Sequence, residues 1–69
     1  MVEQLKTNLK QFRVDRNLTQ ADLAVMVKVS RKTINTIENE VFVPSTLLAL
    51  RLARILNVEV EDLFYLEER

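Results

Sequence analysis

The chain has 69 residues, with ten Lys and Arg against ten Asp and Glu, so its formal net charge is zero, and it contains no Cys, His or Gly. A chain of this length buries a single small core, so we expect one domain over residues 1–69. The missing residue types exclude thiol and imidazole catalysis, sulfur-ligated zinc and glycine-rich phosphate loops, so we expect no enzyme, no cofactor and no metal site.

The first apolar positions recur at helical spacing. Leu5, Leu9 and Phe12 stand at i, i+4 and i+7, which predicts a helix that starts near residues 4–8 and ends around Arg16. Asn17 follows at a position suited to a left-handed helix cap, because Asn adopts a positive φ more readily than other residues with a side chain.

Two short helices follow, with only two or three residues between them. Thr19 is the predicted N-cap of the second helix, and Thr19 with Asp22 forms a T-x-x-D capping box. Ser30 is the N-cap candidate of a third helix over about residues 31–39, with Glu38 among its inward residues. The short connection requires the two helices to cross at a steep angle.

The rest of the chain predicts a fourth helix and one further helical turn. Pro44 and Ser45 mark the start of the fourth helix, and Asn57 ends it at a second cap position. Its predicted inner face consists of Leu48, Leu52, Ile55 and Leu56. A turn of helix is expected around residues 61–63. With nothing resembling a long alternating strand, these five helices predict a compact all-α domain.

The zero net charge, taken as a total, argues against a nucleic-acid partner, because such proteins usually carry a basic excess. When the charges are summed by segment, the zero total proves to come from a positive and a negative segment that cancel. Seven cations against three anions give residues 1–37 a net charge of +4, residues 38–58 are neutral, and one cation against five anions gives residues 59–69 a net charge of −4. Blocks of one sign are commonly solvated surface, so this pattern alone assigns no function.

The start of the third helix carries side chains that suit DNA. Lys28, Arg31 and Lys32 surround it, and its outward face continues with Asn35 and Thr36. These side chains can contact base edges in the major groove or phosphates. The free N–H groups at a helix start suit a phosphate oxygen. The pattern favours DNA binding over a merely solvated face.

Two segments carry the pattern of a known family. Residues 18–24 read LTQADLA and residues 29–39 read VSRKTINTIEN. With Pro44-Ser45 and the ending from Asn57 to Phe64, they closely resemble the helix-turn-helix of the Cro/C1-type (XRE) transcriptional regulators over about residues 8–66. The resemblance implies a five-helix repressor-like fold with its helix-turn-helix at about residues 19–39. It further implies a sequence-specific regulator whose third helix enters the major groove of double-stranded DNA. We expect a repressor and not an activator.

Position by position, the resemblance implies a set of roles. The residues expected at base edges are Arg31, Lys32, Asn35 and Thr36. The residues expected at phosphates are Gln20, Lys28, Ser30, Thr33 and Asn39. Arg13 and Glu38 match a buried Arg–carboxylate pair that ties the first helix to the third, which gives Arg13 a structural role.

Two positions depart from the family pattern, which usually has Gly at both. Lys28 stands in the turn between the second and third helices, where a positive φ costs a residue with a side chain roughly 1 kcal/mol. In that turn, the charge of Lys28 would lie near the DNA backbone. Glu40 follows the third helix, where its carboxylate either lies close to the phosphates or faces Arg51 or Arg54 within the fold.

The tail, about residues 58–69, predicts self-association. Phe64, Tyr65 and Leu66 are consecutive, so they cannot all point into one small core. We expect them to form the interface of a homodimer, together with Leu47 at an outward helix position. A two-fold axis would place two recognition helices one DNA turn, roughly 34 Å, apart on a palindromic operator. Pairing of the tail as an edge strand with its mate is a weaker alternative.

A different class of function stays open. The same fold serves antitoxins and adaptors that mainly bind proteins, and the acidic end from Glu59 to Glu68 could dock a basic protein partner. No signal peptide or membrane span is expected, because the longest uncharged stretch, Val41 to Leu50, is far shorter than the roughly 18 residues of a span. We therefore expect a cytoplasmic protein, at the nucleoid if it binds DNA.

Overall fold

A computed structural model of the chain describes residues 3–68, which form two strands and five helices. In chain order these elements are β1 (Glu3–Thr7), α1 (Leu9–Asp15), α2 (Gln20–Val27), α3 (Arg31–Glu38), α4 (Thr46–Leu56), α5 (Val60–Leu63) and β2 (Phe64–Glu68). The five predicted helices are confirmed. None of the helices in this described part of the chain is long and apolar enough to cross a membrane.

The two ends of the described chain pair as an antiparallel ribbon, so the all-α prediction was wrong in this respect. Thr7 lies opposite Phe64 and Leu5 lies opposite Leu66. The first helix begins only at Leu9, so Leu5 belongs to β1 and not to α1. The i, i+4 spacing of two leucines does not distinguish a helix from a strand followed by a helix. Leu5 lies in a strand because residues 3–7 pair with the distant residues 64–68.

The helices bury one apolar core beneath the ribbon. Its members are Leu9, Leu23, Ala24, Val27, Ile34, Ile37, Leu48, Leu52, Ala53, Leu56 and Leu63. Phe12, Leu18 and Val29 are partly buried and pack against it. Ile55 was assigned to the inner face of α4 but is 37% exposed, because it lies at the edge of the buried stripe formed by Leu48, Leu52 and Leu56.

Side-chain caps fix the starts of the helices that carry the site. The Thr19 hydroxyl accepts from the Asp22 N–H at 2.9 Å, and the Asp22 carboxylate accepts from the Thr19 N–H at 2.9 Å, which confirms the capping box. These contacts with the backbone N–H and hydroxyl of Thr19 lower the pKa of Asp22. Ser30 accepts from the Thr33 N–H at 3.1 Å and so caps α3.

Four residues with side chains adopt a left-handed backbone within the described chain. Asn17 and Asn57 have φ of 57° and 58°, which confirms the left-handed conformation predicted for both. Asn57 is the C-cap of α4, and Asn17 directly follows Arg16, the C-cap of α1. Lys28 and Glu40 each have φ of 63°. Both positions that usually hold Gly in the family therefore keep the backbone conformation that Gly adopts most readily, although the side chains differ.

Candidate nucleic-acid interface

The turn between α2 and α3 sets the direction of the third helix. Lys28 adopts its left-handed conformation directly after α2, and the Val29 N–H donates back to the carbonyl of Ala24 at 3.0 Å. Val29 then packs against the core, and Ser30 starts α3. A left-handed residue at a helix end followed by a capped helix start gives the sharp turn that a helix-turn-helix requires.

The predicted base-contacting residues share one side of α3. Ile34 and Ile37 are buried on the opposite side, and they fix the rotation of the helix about its axis. Arg31 and Lys32, in the first turn, are exposed, whereas Asn35 and Thr36 are partly buried one turn later. The four residues expected at base edges therefore form a strip whose most accessible part is cationic; that strip (Arg31, Lys32, Asn35 and Thr36) is called the α3 face below.

Positive charge at this site forms no ion pair within residues 3–68. Across residues 3–68 the ion pairs are Lys6–Glu40 and Arg13–Glu38. Lys28, Arg31 and Lys32 therefore have no carboxylate partner in the described chain. A cluster of three uncompensated cations at a helix start attracts anionic partners such as a phosphate backbone.

Gln20 links the start of α2 to three residues of α3. Its amide N–H₂ donates to the side-chain oxygen of Asn35 at 3.2 Å and to Glu38 at 3.0 Å. Its side-chain oxygen accepts from Arg31 at 3.0 Å. Gln20 was predicted only as a phosphate contact, and this positioning of Arg31 was missed. No local pattern in the sequence links residues 20 and 31, since the contact exists only once the two helices cross.

Polar groups along α3 are held by further hydrogen bonds. The Thr36 hydroxyl donates to the Thr33 carbonyl at 3.0 Å. The Asn39 amide donates to the backbone and side-chain oxygens of Asn35 at 3.0 and 3.3 Å. The Ser30 and Thr33 hydroxyl oxygens lie 2.9 Å apart. The residues expected at phosphates thus lie around the two ends of α3, and Asn35 keeps its N–H₂ group as a donor toward a ligand.

A buried ion pair holds α3 against α1, as the resemblance implied. Arg13 Nε donates to Glu38 at 2.6 Å and Arg13 Nη2 donates to the second carboxylate oxygen at 3.2 Å. Arg13 is 8% exposed, and it also donates to the Leu18 carbonyl at 2.7 Å. Arg13 therefore connects α1 to α3 and to the segment before α2, and Glu38 holds both Arg13 and Gln20.

Glu40 bonds to the terminal ribbon and not to Arg51 or Arg54. Its carboxylate lies 2.9 Å from Lys6 Nζ and accepts from the Thr7 N–H at 3.0 Å. The hydrogen bond from Lys6, followed by that from Thr7, lowers the pKa of Glu40. The expected pairing with Arg51 or Arg54 was therefore wrong, because the cation that meets Glu40 comes from β1, which the sequence did not predict.

The residues predicted for a dimer interface divide into two groups. Leu47, Tyr65 and Leu66 are 61%, 41% and 64% exposed. Phe64 is partly buried and packs against the core of its own protomer. Three of the four apolar side chains are therefore uncovered, whereas Phe64 contributes mainly to the fold.

Comparison with known proteins identifies the same architecture. The helix-turn-helix family matches residues 9–63. An uncharacterized HTH-type transcriptional regulator of Methanocaldococcus jannaschii is 44% identical over 64 residues, covering 93% of this chain and 97% of the relative. Another, from Archaeoglobus fulgidus, is 41% identical over 64 residues, covering 93% of this chain and 90% of the relative.

Two solved structures share the fold. The restriction-modification controller protein C.AhdI from Aeromonas hydrophila has a TM-score of 0.74 at 26% identity, covering 78% of this chain and 82% of that chain. The clp gene regulator ClgR from Corynebacterium glutamicum has a TM-score of 0.74 at 28% identity, covering 78% of this chain and 57% of its own. Together with the geometry of α2 and α3, these matches show that the chain belongs to the helix-turn-helix family of Cro/C1-type (XRE) transcriptional regulators.

Proposed function

We propose that the protein is a repressor that binds a palindromic operator as a homodimer, with α3 in the major groove. One observation carries this proposal. The α3 face opens with Arg31 and Lys32, which are exposed and have no carboxylate partner within residues 3–68. The opposite side of α3 is fixed by Ile34 and Ile37 in the core. A rigid helix with an accessible cationic start has the form that reads base edges.

The side chains of the α3 face differ in what they can recognise. Arg31 and Lys32 donate hydrogen bonds that suit guanine N7 and O6. The N–H₂ group of Asn35 suits an acceptor on a base edge, while its oxygen is engaged by Gln20 and Asn39. Thr36 offers a methyl group to thymine and a hydroxyl oxygen to a base donor. Arg31, which Gln20 positions, should contribute most to discrimination.

A second group of residues suits the phosphate backbone. Lys28 supplies a charge next to the start of α3, and Ser30 lies at the N-terminus of that helix, a position that suits a phosphate oxygen. Gln20, Thr33 and Asn39 complete the expected set of phosphate contacts. Contacts of this kind fix the register of the protein on DNA and give binding its salt dependence, but they carry no direct sequence information.

The homodimer is supported by the uncovered apolar side chains outside the DNA-binding face. Leu47, Tyr65 and Leu66 remain exposed in the protomer and lie on α4 and β2. A two-fold axis through such a surface would give two α3 helices on one side of the dimer. A dimer bound across an operator would occupy the DNA there, which corresponds to repression.

Selection of bound fragments from a random pool of double-stranded DNA, at about 0.15 M salt, tests this function. We expect a palindromic consensus whose half-sites lie about 10–10.5 base pairs apart, centre to centre. Arg31→Ala should relax the consensus at one position of each half-site, whereas Lys28→Ala should weaken all sequences about equally. A pool that shows no enrichment with the wild-type protein would overturn the proposal.

A further inference from the structure

The segment that ends α3 folds back onto the last turn of that helix. The Glu40 N–H donates to the Ile37 carbonyl at 3.0 Å, and the N–H groups of Val41 and Phe42 donate to the Thr36 carbonyl at 3.0 and 3.2 Å. With its left-handed backbone, Glu40 thus occupies the position that Gly usually takes in a Schellman motif. The segment lies beside Thr36, the last residue of the α3 face.

A carboxylate in this segment opposes DNA binding. Glu40 directly follows Asn39, which is expected at a phosphate, whereas the Gly that is usual in the family carries no charge. The lowered pKa of Glu40 keeps its carboxylate ionised at neutral pH. A negative charge beside a phosphate backbone weakens association, because like charges repel. Glu40 therefore lowers the affinity for DNA unless a cation within the protein compensates for it.

Strand β1 supplies that cation. Lys6 Nζ lies 2.9 Å from one carboxylate oxygen of Glu40, and the Thr7 N–H donates to the other oxygen at 3.0 Å. The side chains of Lys6 and Glu40 are 23% and 24% exposed, so salt screens this pair less than a fully exposed one. Because Thr7 pairs with Phe64 of β2, the whole ribbon holds the carboxylate in place.

We propose that Lys6 is a charge-compensating residue of the DNA-binding surface. It neutralises the Glu40 carboxylate and holds it toward the ribbon, so that the chain binds DNA in spite of an anionic residue at the end of α3. This inference rests on the DNA binding of the proposed function and gives the terminal ribbon a part in it. Lys6 acts through Glu40 and not on a phosphate, which distinguishes it from Lys28.

A double-mutant cycle on DNA affinity tests this role. The variants are Lys6→Met, Glu40→Gln and Lys6→Met/Glu40→Gln, and circular dichroism verifies that each one folds. Dissociation constants for the selected operator and for a scrambled duplex of equal length are measured by fluorescence anisotropy. We expect Lys6→Met to bind both duplexes about threefold more weakly than the wild type, because it leaves the carboxylate uncompensated.

The other arms of the cycle carry the decisive comparison. Glu40→Gln should bind at least as tightly as the wild type, since it removes a negative charge near the phosphates. Lys6→Met/Glu40→Gln should bind as tightly as Glu40→Gln, because no carboxylate remains to be compensated. A matched control, Lys10→Met, removes an exposed cation from α1 and should bind like the wild type.

Two results would overturn the role of Lys6. One is an affinity of Lys6→Met equal to that of the wild type. The other is an equal loss on Lys6→Met with and without Glu40→Gln, which would mean that Lys6 contacts DNA itself or only supports the fold. A wild type that binds both duplexes equally would overturn the sequence-specific function, while the cycle on either duplex still decides the role of Lys6. A wild type that binds neither duplex would overturn both.

Discussion

Removal of the Glu38 carboxylate should cost most of the stability of the fold. The side chains of Arg13 and Glu38 are 10% and 3% exposed, so Glu38→Ala leaves a guanidinium buried without its partner. The substitution also removes the acceptor that holds Gln20. Breaking a buried pair of this kind costs about 3–5 kcal/mol. A domain of this length has a free energy of unfolding of only about 3–10 kcal/mol. The Glu38→Ala variant should therefore be largely unfolded at the temperature at which the wild-type protein functions.

Thermal and urea unfolding, followed by circular dichroism, measure this cost. We expect the midpoint of thermal unfolding of Glu38→Ala to fall by at least about 12 °C, since 1 kcal/mol corresponds to about 4–8 °C in a small domain. The matched variant Arg13→Met/Glu38→Leu replaces both partners with apolar groups of similar size. It should lose less stability than Glu38→Ala alone, because no unpaired charge remains buried.

Two outcomes would contradict the expected effect of Glu38→Ala on stability. One is a loss of less than about 1 kcal/mol for Glu38→Ala, which would place the pair among surface ion pairs of little net effect. The other is a double variant less stable than the single variant, which would mean that the charges stabilise the fold by themselves. The double variant also lacks the Glu38 carboxylate that binds Gln20. If it folds, its affinity for DNA measures the effect of Glu38 on DNA binding separately from the effect of Glu38 on stability.

Three further predictions concern single residues of the site and its supports. Arg31→Ala should weaken binding to the selected operator by about 1–3 kcal/mol in fluorescence anisotropy titrations, while Lys10→Ala on α1 leaves it unchanged; equal affinities for Arg31→Ala and wild type would remove Arg31 from the base contacts. Lys28→Gly should raise the free energy of unfolding by about 0.5–1 kcal/mol by relieving the left-handed backbone, yet weaken binding to all DNA sequences; a destabilised Lys28→Gly would contradict the assigned strain. The pKa of Glu40 is lowered in the fold from its ordinary value of 4.5, so near that pH the unfolded chain binds more protons than the folded chain. The contribution of Glu40 to the free energy of unfolding is therefore complete above 4.5 and is lost as the pH falls below it. Glu40→Gln should therefore reduce the slope of stability against pH in the acid range, and an unchanged slope would show that the contacts with Lys6 and Thr7 do not persist in solution.

Features of the sequence that act locally predicted the helix-turn-helix well. The capping box of Thr19 and Asp22 and the left-handed conformations of Asn17 and Asn57 depend on neighbouring residues, and the structure confirms each of them. The pairing of Arg13 with Glu38 joins residues far apart in the chain. It was predicted only through the family resemblance, and it is present in the structure.

Features that depend on distant pairing were missed or assigned wrongly. A five-residue strand has little stability alone, so β1 exists because β2, about sixty residues later, lies beside it. Missing β1 also led to the wrong partner for Glu40, since Lys6 reaches it only from that strand. The bridge from Gln20 to Arg31 likewise depends on the crossing of two helices, which no periodic pattern records.

The function proposed for α3 is to read the bases of a specific operator. Amide and side-chain NMR spectra of ¹⁵N-labelled protein, titrated with the selected duplex and with a scrambled duplex of equal length, test it most directly. We expect the scrambled duplex to shift mainly the signals of Lys28 and Ser30. With the selected duplex, we expect the largest changes at the residues of the α3 face, Arg31, Lys32, Asn35 and Thr36. Unchanged α3 signals in a saturated complex with the selected duplex would contradict it.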